Sequence, residues 1–278
     1  MRSSTENIYQ EKVNQVIDYI NANLHQPLQL DVIAGRICVS RRQLLRIMRS
    51  ALDESLYAYM ARQRMERAIM YMQTEEMTLA ARVGYDNPQS FSKAFRKLFG
   101  ISPKAYINGL NARLQEYVKS SGGKYETVPS EICEEEDLNL IYIRIVGQYG
   151  EEKPYETAWN KLIKFLEEKQ ALSAATRFIG LSFDDPNVTT AGQCRFYACA
   201  TVDKPVEAAG VFGTLRLRKG KYAVYTLKGS YSSLQEFYNN ISVSFNHTIR
   251  HGMPFEEYIH YTGTDSEAAL TKIYIPIK

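Results

Sequence analysis

Arg42, Arg46 and Arg49 recur at i, i+4 and i+7, so on a helix they share one face. Forty-seven residues later Gln89, Lys93 and Arg96 repeat the spacing. Long side chains with several donors, set along one helical face, suit base edges in a major groove and the phosphates beside it. The opposite face of each segment is apolar: Leu44, Ile47, Met48 and Ala51 in the first, Phe91, Ala94, Phe95 and Leu98 in the second. One such stripe is also what a solvated helix of an ordinary bundle shows. Two copies in register point to a duplicated recognition element.

A second candidate lies near the C-terminal end. In Phe255-Glu256-Glu257-Tyr258, a strand places Glu256 and Tyr258 on one face and Glu257 on the other. A carboxylate among aromatic rings attracts an organic cation through its charge and through the ring quadrupoles. Twelve of the 20 tyrosines and the single tryptophan, Trp159, lie beyond residue 120. A solvated Glu256 beside core aromatics is the alternative that parity leaves open. His247 and His251 stand four apart on an expected helix ending at Gly252, with no third metal ligand at a suggestive spacing. Cys38, Cys133, Cys194 and Cys199 form no CxxC pair. No Ser-His-Asp, phosphate-loop or nucleotide signature is found, so no catalytic residue, metal or cofactor is expected.

These residues need elements to hold them. Val13, Val16, Ile17, Ile20 and Leu24 form a helical stripe. Pro27 breaks it, and a short helix at 31–37, a turn at Cys38-Val39 and a helix capped by Ser40 follow. A short helix, a tight turn and a basic helix make the helix-turn-helix order. The copies align from Ser40–Ser55 onto Asn87–Ser102, with Tyr59 falling on Tyr106 and Pro88 at the first helical position of the second.

Lys119-Ser120-Ser121-Gly122-Gly123-Lys124 reads as a linker at 119–124, between a helical domain at 1–118 and a β-rich domain at 125–278. Residues 1–120 hold 17 basic and 11 acidic side chains, and the remainder 17 and 20. A basic half is suited to a polyanion, an acidic half is not. The second domain also repeats, at an offset of about 80 residues. A strand, a helix and two further strands (177–183 and 194–202, then 257–261 and 272–277) make a duplicated β-α-β-β unit with a groove between the halves. No apolar run approaches a membrane span and no signal-peptide pattern opens the chain, so a cytoplasmic, nucleoid-associated location is expected.

Gly84-Tyr85-x5-Phe91-Ser92-Lys93-Ala94-Phe95-Arg96-Lys97-Leu98-Phe99-Gly100-Ile101-Ser102-Pro103-x2-Tyr106 resembles the C-terminal signature of the AraC/XylS regulators. Ala34, Ser40, Leu44, Arg46 and Tyr59 fit that family's first helix-turn-helix, and Arg64-Met65-Glu66-Arg67-Ala68 its connecting helix. The resemblance implies an α domain with two recognition helices, held by a rigid helix near Ser55–Met72 and entering adjacent major grooves of double-stranded DNA. Its base-facing positions are Arg41, Arg42, Leu45 and Arg46, then Pro88, Gln89, Ser90, Ser92 and Lys93. One departure is the stretch Gln73–Ala80, about three residues shorter than the family's lead-in and acidic at Glu76, which implies an altered angle for the second unit.

The second domain resembles the gyrase-inhibitor-like domains, also described as bacterial activator effector-binding domains. The matching residues are Phe183-Asp184-Asp185-Pro186-Asn187-Val188-Thr189, Cys194-Arg195-Phe196-Tyr197, Gly220-Lys221-Tyr222-Ala223-Val224, Gly229-Ser230-Tyr231 and Phe255-Glu256-Glu257-Tyr258. The resemblance implies an α+β fold and a lipophilic cation as ligand. Glu256 would be its buried countercharge, with Tyr258, Trp159, Tyr149 and Tyr197 as walls. Together the two resemblances imply a ligand-modulated transcription activator, not an enzyme, with DNA, a small-molecule effector and RNA polymerase as partners. The competing readings of the second domain are a small-molecule hydrolase using Glu256 as general base, and a protein-interaction module.

Overall fold

The computed structural model describes residues 2–72, 79–120, 127–186, 189–250, 252–259 and 268–278. The chain divides into two compact units, Met1–Pro103 with Glu207–Gly213, and Lys104–Val206 with Thr214–Lys278.

The first unit is helical: α1 (Arg2–Ala22), α2 (Leu30–Arg36), α3 (Arg41–Leu52), α4 (Leu56–Met72), α5 (Leu79–Arg82) and α6 (Pro88–Phe99). The α1 stripe is buried, and it packs with Leu30, Ile33, Leu44, Ile47, Met48, Leu56 and Tyr59 in one apolar cluster. Each large aliphatic side chain removed from water there contributes about 1.5–3 kcal/mol. Residues 207–213 lie against α1. The Glu11 carboxylate accepts from the Gly210 N–H at 2.9 Å, and the Asn14 amide donates to the Phe212 carbonyl at 3.2 Å.

Both turns before the recognition helices end in the same hydrogen-bond pattern. Val39 N–H reaches the Ala34 carbonyl and Cys38 N–H that of Gly35; Tyr85 and Gly84 repeat this with Ala80 and Ala81. The left-handed residue is Cys38 (φ 52°) in the first turn and Gly84 (φ 80°) in the second. The offset is therefore 46 residues in the turns and 47 in the helices, and the second turn is one residue longer. Residues 73–78, which include Glu76 and most of the shortened lead-in, lie outside the described residues.

The second unit opens with α7 (Pro103–Ser120, from Lys104), so Lys119 and Ser120 are helical; the rest of the expected linker, 121–124, lies outside the described residues. Eight strands follow among the described residues: β1 (Glu131–Glu135), β2 (Leu138–Val146), β3 (Phe178–Ser182), β4 (Arg195–Thr201), β5 (Phe212–Leu217), β6 (Gly220–Lys228), β7 (Phe255–Ile259) and β8 (Leu270–Pro276). Among the described residues, α8 (Glu152–Glu168) and α9 (Leu234–Ser244) are the α-helices between them.

The sheet order is β1-β6-β8-β7-β3-β4-β2-β5. Exchanging β1–β4 for β5–β8 reverses this order onto itself, so the unit is a two-fold duplication centred on the antiparallel β3–β7 pair. Each expected β-α-β-β unit gains one leading strand, and that strand crosses over to edge the other half: β1 pairs with β6, and β5 lies beside β2. One correction concerns His247. Helix α9 ends at Ser244, so His247 lies beyond it, with Nε2 3.2 Å from Ser130 Oγ; His251 is outside the described residues. Among the described residues no His/Cys/Asp/Glu group is arranged to hold a metal, and no helix is long and apolar enough to cross a membrane.

Candidate functional site

Helix α3 begins at Ser40, whose hydroxyl accepts from the Gln43 N–H at 3.2 Å. Helix α6 begins at Asn87, whose carboxamide oxygen accepts from Ser90 N–H at 2.8 Å, with Pro88 at its first position. Such caps fix where each helix starts, and so which side chains point outward. Leu44, Ile47 and Met48 are buried in α3, Phe91 and Phe95 in α6. Arg41, Arg42 and Arg46 are exposed, as are Pro88, Gln89, Ser90, Ser92 and Lys93. Leu45 is half-buried and packs against the apolar cluster of the unit. Arg41 donates to the Tyr57 hydroxyl at 3.2 Å, which steadies it at the start of α3.

The second site sits where the two halves of the sheet meet. Ile143, Ala198, Gly180, Glu256, Ile273 and Tyr225 are successive partners across the strands and share one face. Helix α8 covers β2 and β4 on one side, and α9 lies over β6 on the other. Glu256 stands between them and is only 7% exposed. Its carboxylate accepts from Tyr258 at 2.5 Å and from Tyr238, on α9, at 2.7 Å. Lengths this short are those of hydroxyls bonded to a charged acceptor.

Burial pushes the Glu256 carboxyl above its ordinary range, and the two hydroxyls offset part of that rise. Burial and the neighbouring carboxylate keep Tyr238 and Tyr258 protonated well beyond the usual phenol range. Among the described residues, the groups that favour the anion are therefore hydroxyls, not a guanidinium or an ammonium.

Aromatic rings surround this carboxylate. Trp159 meets Tyr258 edge-on with centroids 5.6 Å apart, and Tyr231 meets it from another side at 5.4 Å. Tyr155 of α8 lies 4.8 Å from Phe196, and its hydroxyl is raised by burial and by Glu256 among others. The backbone at Gly180 makes room: a Cβ there would stand 2.5 Å from the Tyr258 hydroxyl oxygen and 2.7 Å from the Phe196 ring.

The four expected wall residues divide. Tyr258 bonds Glu256 directly, and Trp159 packs on Tyr258. Tyr149 is half-buried at the margin, its hydroxyl accepting from Asp184 N–H and donating to the Arg195 carbonyl, both at 3.0 Å. The buried Asp184–Arg195 ion pair, 2.6 Å, fixes that loop. Tyr197 is a correction. It lies on the opposite face of the sheet, stacked on Tyr142 at 4.4 Å and accepting from Arg144 Nε at 2.9 Å. Every residue of β4 from Arg195 to Ala200 is buried, so alternation could not reveal which side faces Glu256. Its neighbour Phe196 is the β4 aromatic on the Glu256 face, against Gly180 and Tyr155. Tyr155 and Tyr238 also escaped the sequence reading, because aromatics on an amphipathic helix look alike whether they line a core or a ligand site; Tyr231, just before α9, and Gly180, in β3, were not assigned to the site either.

A family profile described as a GyrI-like small molecule binding domain matches residues 129–278, more than half of the chain. A second, described as a helix-turn-helix domain, matches residues 33–109. YkgA of Escherichia coli K12 is 31% identical over 107 residues, 37% of this chain and 45% of YkgA. Regulatory protein SoxS of Salmonella typhimurium LT2 is 30% identical over 105 residues, 37% of this chain and 98% of SoxS. The chain thus spans about half the length of the first relative and nearly all of the second. Among solved structures, the C-terminal domain of AraT, a response regulator from Geobacillus stearothermophilus, is 33% identical with a TM-score of 0.34, covering 35% of this chain and 84% of that one. The AraC-type and gyrase-inhibitor-like resemblances, and the α and α+β fold classes, are borne out.

Proposed function

Since the chain belongs to the GyrI-like small-molecule-binding family and to the AraC-type regulators that include SoxS, we propose that it is a transcription activator whose DNA binding is set by a lipophilic cation bound at Glu256. The observation that carries the ligand class is the carboxylate itself, buried among rings and bonded to neutral hydroxyls. Leaving a buried charge without a cation is costly, and a cation with apolar groups offsets that cost while gaining contact with the rings.

On this reading α3 and α6 carry the base contacts, through Arg41, Arg42 and Arg46 and through Gln89, Ser90, Ser92 and Lys93, with Pro88 and Leu45 as apolar neighbours. The chain acts in the cytoplasm at the nucleoid, with RNA polymerase as a further partner. The ligand is read through α9. That helix carries Tyr238 and, two residues on, Asn240, whose side-chain oxygen accepts from the Tyr117 hydroxyl of α7 at 2.8 Å. Displacing Tyr238 from Glu256 therefore disturbs the anchorage of the helix that follows the second helix-turn-helix.

Calorimetric titration tests the ligand class. An aryl quaternary ammonium should bind, and its neutral tert-butyl isostere should bind far more weakly. Glu256→Gln should weaken the cation by about 2 kcal/mol or more and leave the isostere little changed. Equal losses for both ligands would remove the charge recognition on which the proposal rests.

A further inference from the structure

Helix α4 joins the two helix-turn-helix units and carries three arginines with different reach. Arg62 stays with the first unit, bonded to Glu54 at the α3–α4 corner. Arg67 donates to the Asn21 carbonyl at 2.8 Å. Arg64 reaches both units. Its Nε donates to the Leu24 carbonyl at 3.0 Å and its Nη2 to that of Gln26 at 2.9 Å, both in the turn that ends α1. Its other side lies against the second unit's turn. A Cβ at Gly84 would fall 2.9 Å from the guanidinium carbon and 2.5 Å from the Leu24 carbonyl oxygen. The same guanidinium carbon is 5.8 Å from the centre of the Tyr85 ring. Tyr85 in turn meets Phe91 edge-on, with centroids 5.9 Å apart, and Phe91 is the first buried residue of α6.

We propose that Arg64 is a positioning residue for the second recognition helix: it fixes the angle of α6 against the α1–α3 unit by clamping the end of α1 to the Gly84-Tyr85 turn. The inference rests on the DNA-binding reading above, and it adds a role for a residue that faces no base.

The chemistry needs arginine. The Leu24 and Gln26 carbonyls lie in the turn beyond α1, where no helical N–H among the described residues reaches them, and they accept from Arg64 instead. A planar guanidinium donates to both of them along its edge while offering its face to an aromatic ring, which an ammonium cannot do at once. Glycine is needed at 84 twice over. The left-handed backbone disfavours a side chain, and the Leu24 carbonyl and Arg64 already occupy the space one would fill. Helix α1 packs on α2 and α3, so a clamp on its end refers α6 to the first recognition helix.

The test uses the full chain and duplexes that it selects from a random-sequence library. Gln89→Ala and Arg46→Ala identify which half of the footprint belongs to α6 and which to α3. Arg64→Ala should lose protection over the α6 half alone and at least about tenfold in affinity, the scale of losing one base-reading contact set. Arg64→Lys should fall between, and Arg67→Ala should keep both halves. Loss spread evenly over both halves, or an unchanged footprint, would overturn the proposal. If Arg64→Ala does not fold, Arg64→Lys carries the same comparison.

A second measurement is independent of DNA. Spin labels at Ser50→Cys and Lys97→Cys, with Cys38→Ser and Cys133→Ser, report the α3–α6 separation. Arg64→Ala and Arg64→Lys should broaden or shift that distance, and an unchanged distribution would overturn the clamp. A wild-type chain that selects no duplex would instead sink the DNA-binding reading, while the distances still decide whether Arg64 positions α6.

Discussion

Glu256 and Glu257 are consecutive residues of β7 whose carboxylates lie on opposite faces of one sheet in opposite electrical surroundings. Glu256 is buried beneath the helices with two tyrosine hydroxyls, and burial raises its pKa. Burial also works against the charge of Glu257. There, however, the Arg177 guanidinium grips both carboxylate oxygens at 2.8 Å and Tyr274 donates at 2.6 Å, and together they hold it below the ordinary range. Arg177 also binds Glu135 at 2.7 Å, which ties the crossed-over strand β1 to the sheet centre.

This asymmetry predicts opposite effects of the same substitution. In the ligand-free chain Glu256→Gln should leave thermal stability unchanged or raise it, because a buried charge is removed and the shape kept. Glu257→Gln should lower it by about 1–2 kcal/mol, after allowing for solvent screening of a partly exposed pair. Melting both variants at neutral pH checks this. A larger loss at Glu256 would make it a structural residue.

The pH dependence has a fixed sign. The raised Glu256 pKa means that its contribution to stability is present below the ordinary 4.5 and is lost as pH rises through the elevated value. Cation binding runs the other way, weak while Glu256 is protonated and stronger as it ionises. The hydroxyls facing it, Tyr238, Tyr258 and Tyr155, are all raised above the usual phenol range and stay neutral throughout. Titrating an aryl quaternary ammonium from pH 4 to 8 should show affinity rising with pH in the wild type and flat in Glu256→Gln. A flat wild-type profile would contradict the assigned countercharge.

Gly180 faces Glu256 across the β3–β7 pair, and its missing side chain houses the Tyr258 hydroxyl and the edge of Phe196. Gly180→Ala should displace both, cost about 1–3 kcal/mol of stability as overpacking, and weaken cation binding. A variant that melts and binds like wild type would show that the close packing there is not required.

Much of this arrangement was legible in the sequence where periodicity is strong. The caps Ser40 and Asn87, the apolar stripes of α3 and α6, and the parity that separates Glu256 from Glu257 all follow from residue spacing. The rest was hidden for physical reasons. Strand β1, Glu131-Ile-Cys-Glu-Glu135, has little apolar alternation because it edges the sheet, and its partner β6 lies in the other half. Strand β4 is buried on both faces, so Tyr197 and Phe196 could not be told apart. Tyr238 sits on the inner stripe of α9 beside Ile241, indistinguishable from core until its hydroxyl is seen to reach Glu256.

The repeat also contains a mismatch with a measurable consequence. The left-handed position after α2 is held by Cys38, and its counterpart after α5 by Gly84. A left-handed backbone costs an L side chain about 1–2 kcal/mol, which exceeds the entropy glycine loses on folding. Cys38 is exposed, so Cys38→Gly should stabilise the first unit by about 0.5–1 kcal/mol. Urea denaturation followed by helical circular dichroism reads this out, and a loss of stability would mean that the thiol makes an interaction worth more than the strain.

The central claim is that a cation at Glu256 changes how this chain holds DNA. The most direct measurement is the affinity of the full chain for a duplex it selects from random sequence, at fixed salt, with and without a saturating aryl quaternary ammonium. The account predicts a shift of about fivefold or more in the wild type, none in Glu256→Gln, and a reduced shift in Tyr117→Phe, which binds the cation but lacks the α7–α9 bond. The same affinity with and without a cation that is demonstrably bound, or an equal shift in Glu256→Gln, would contradict it.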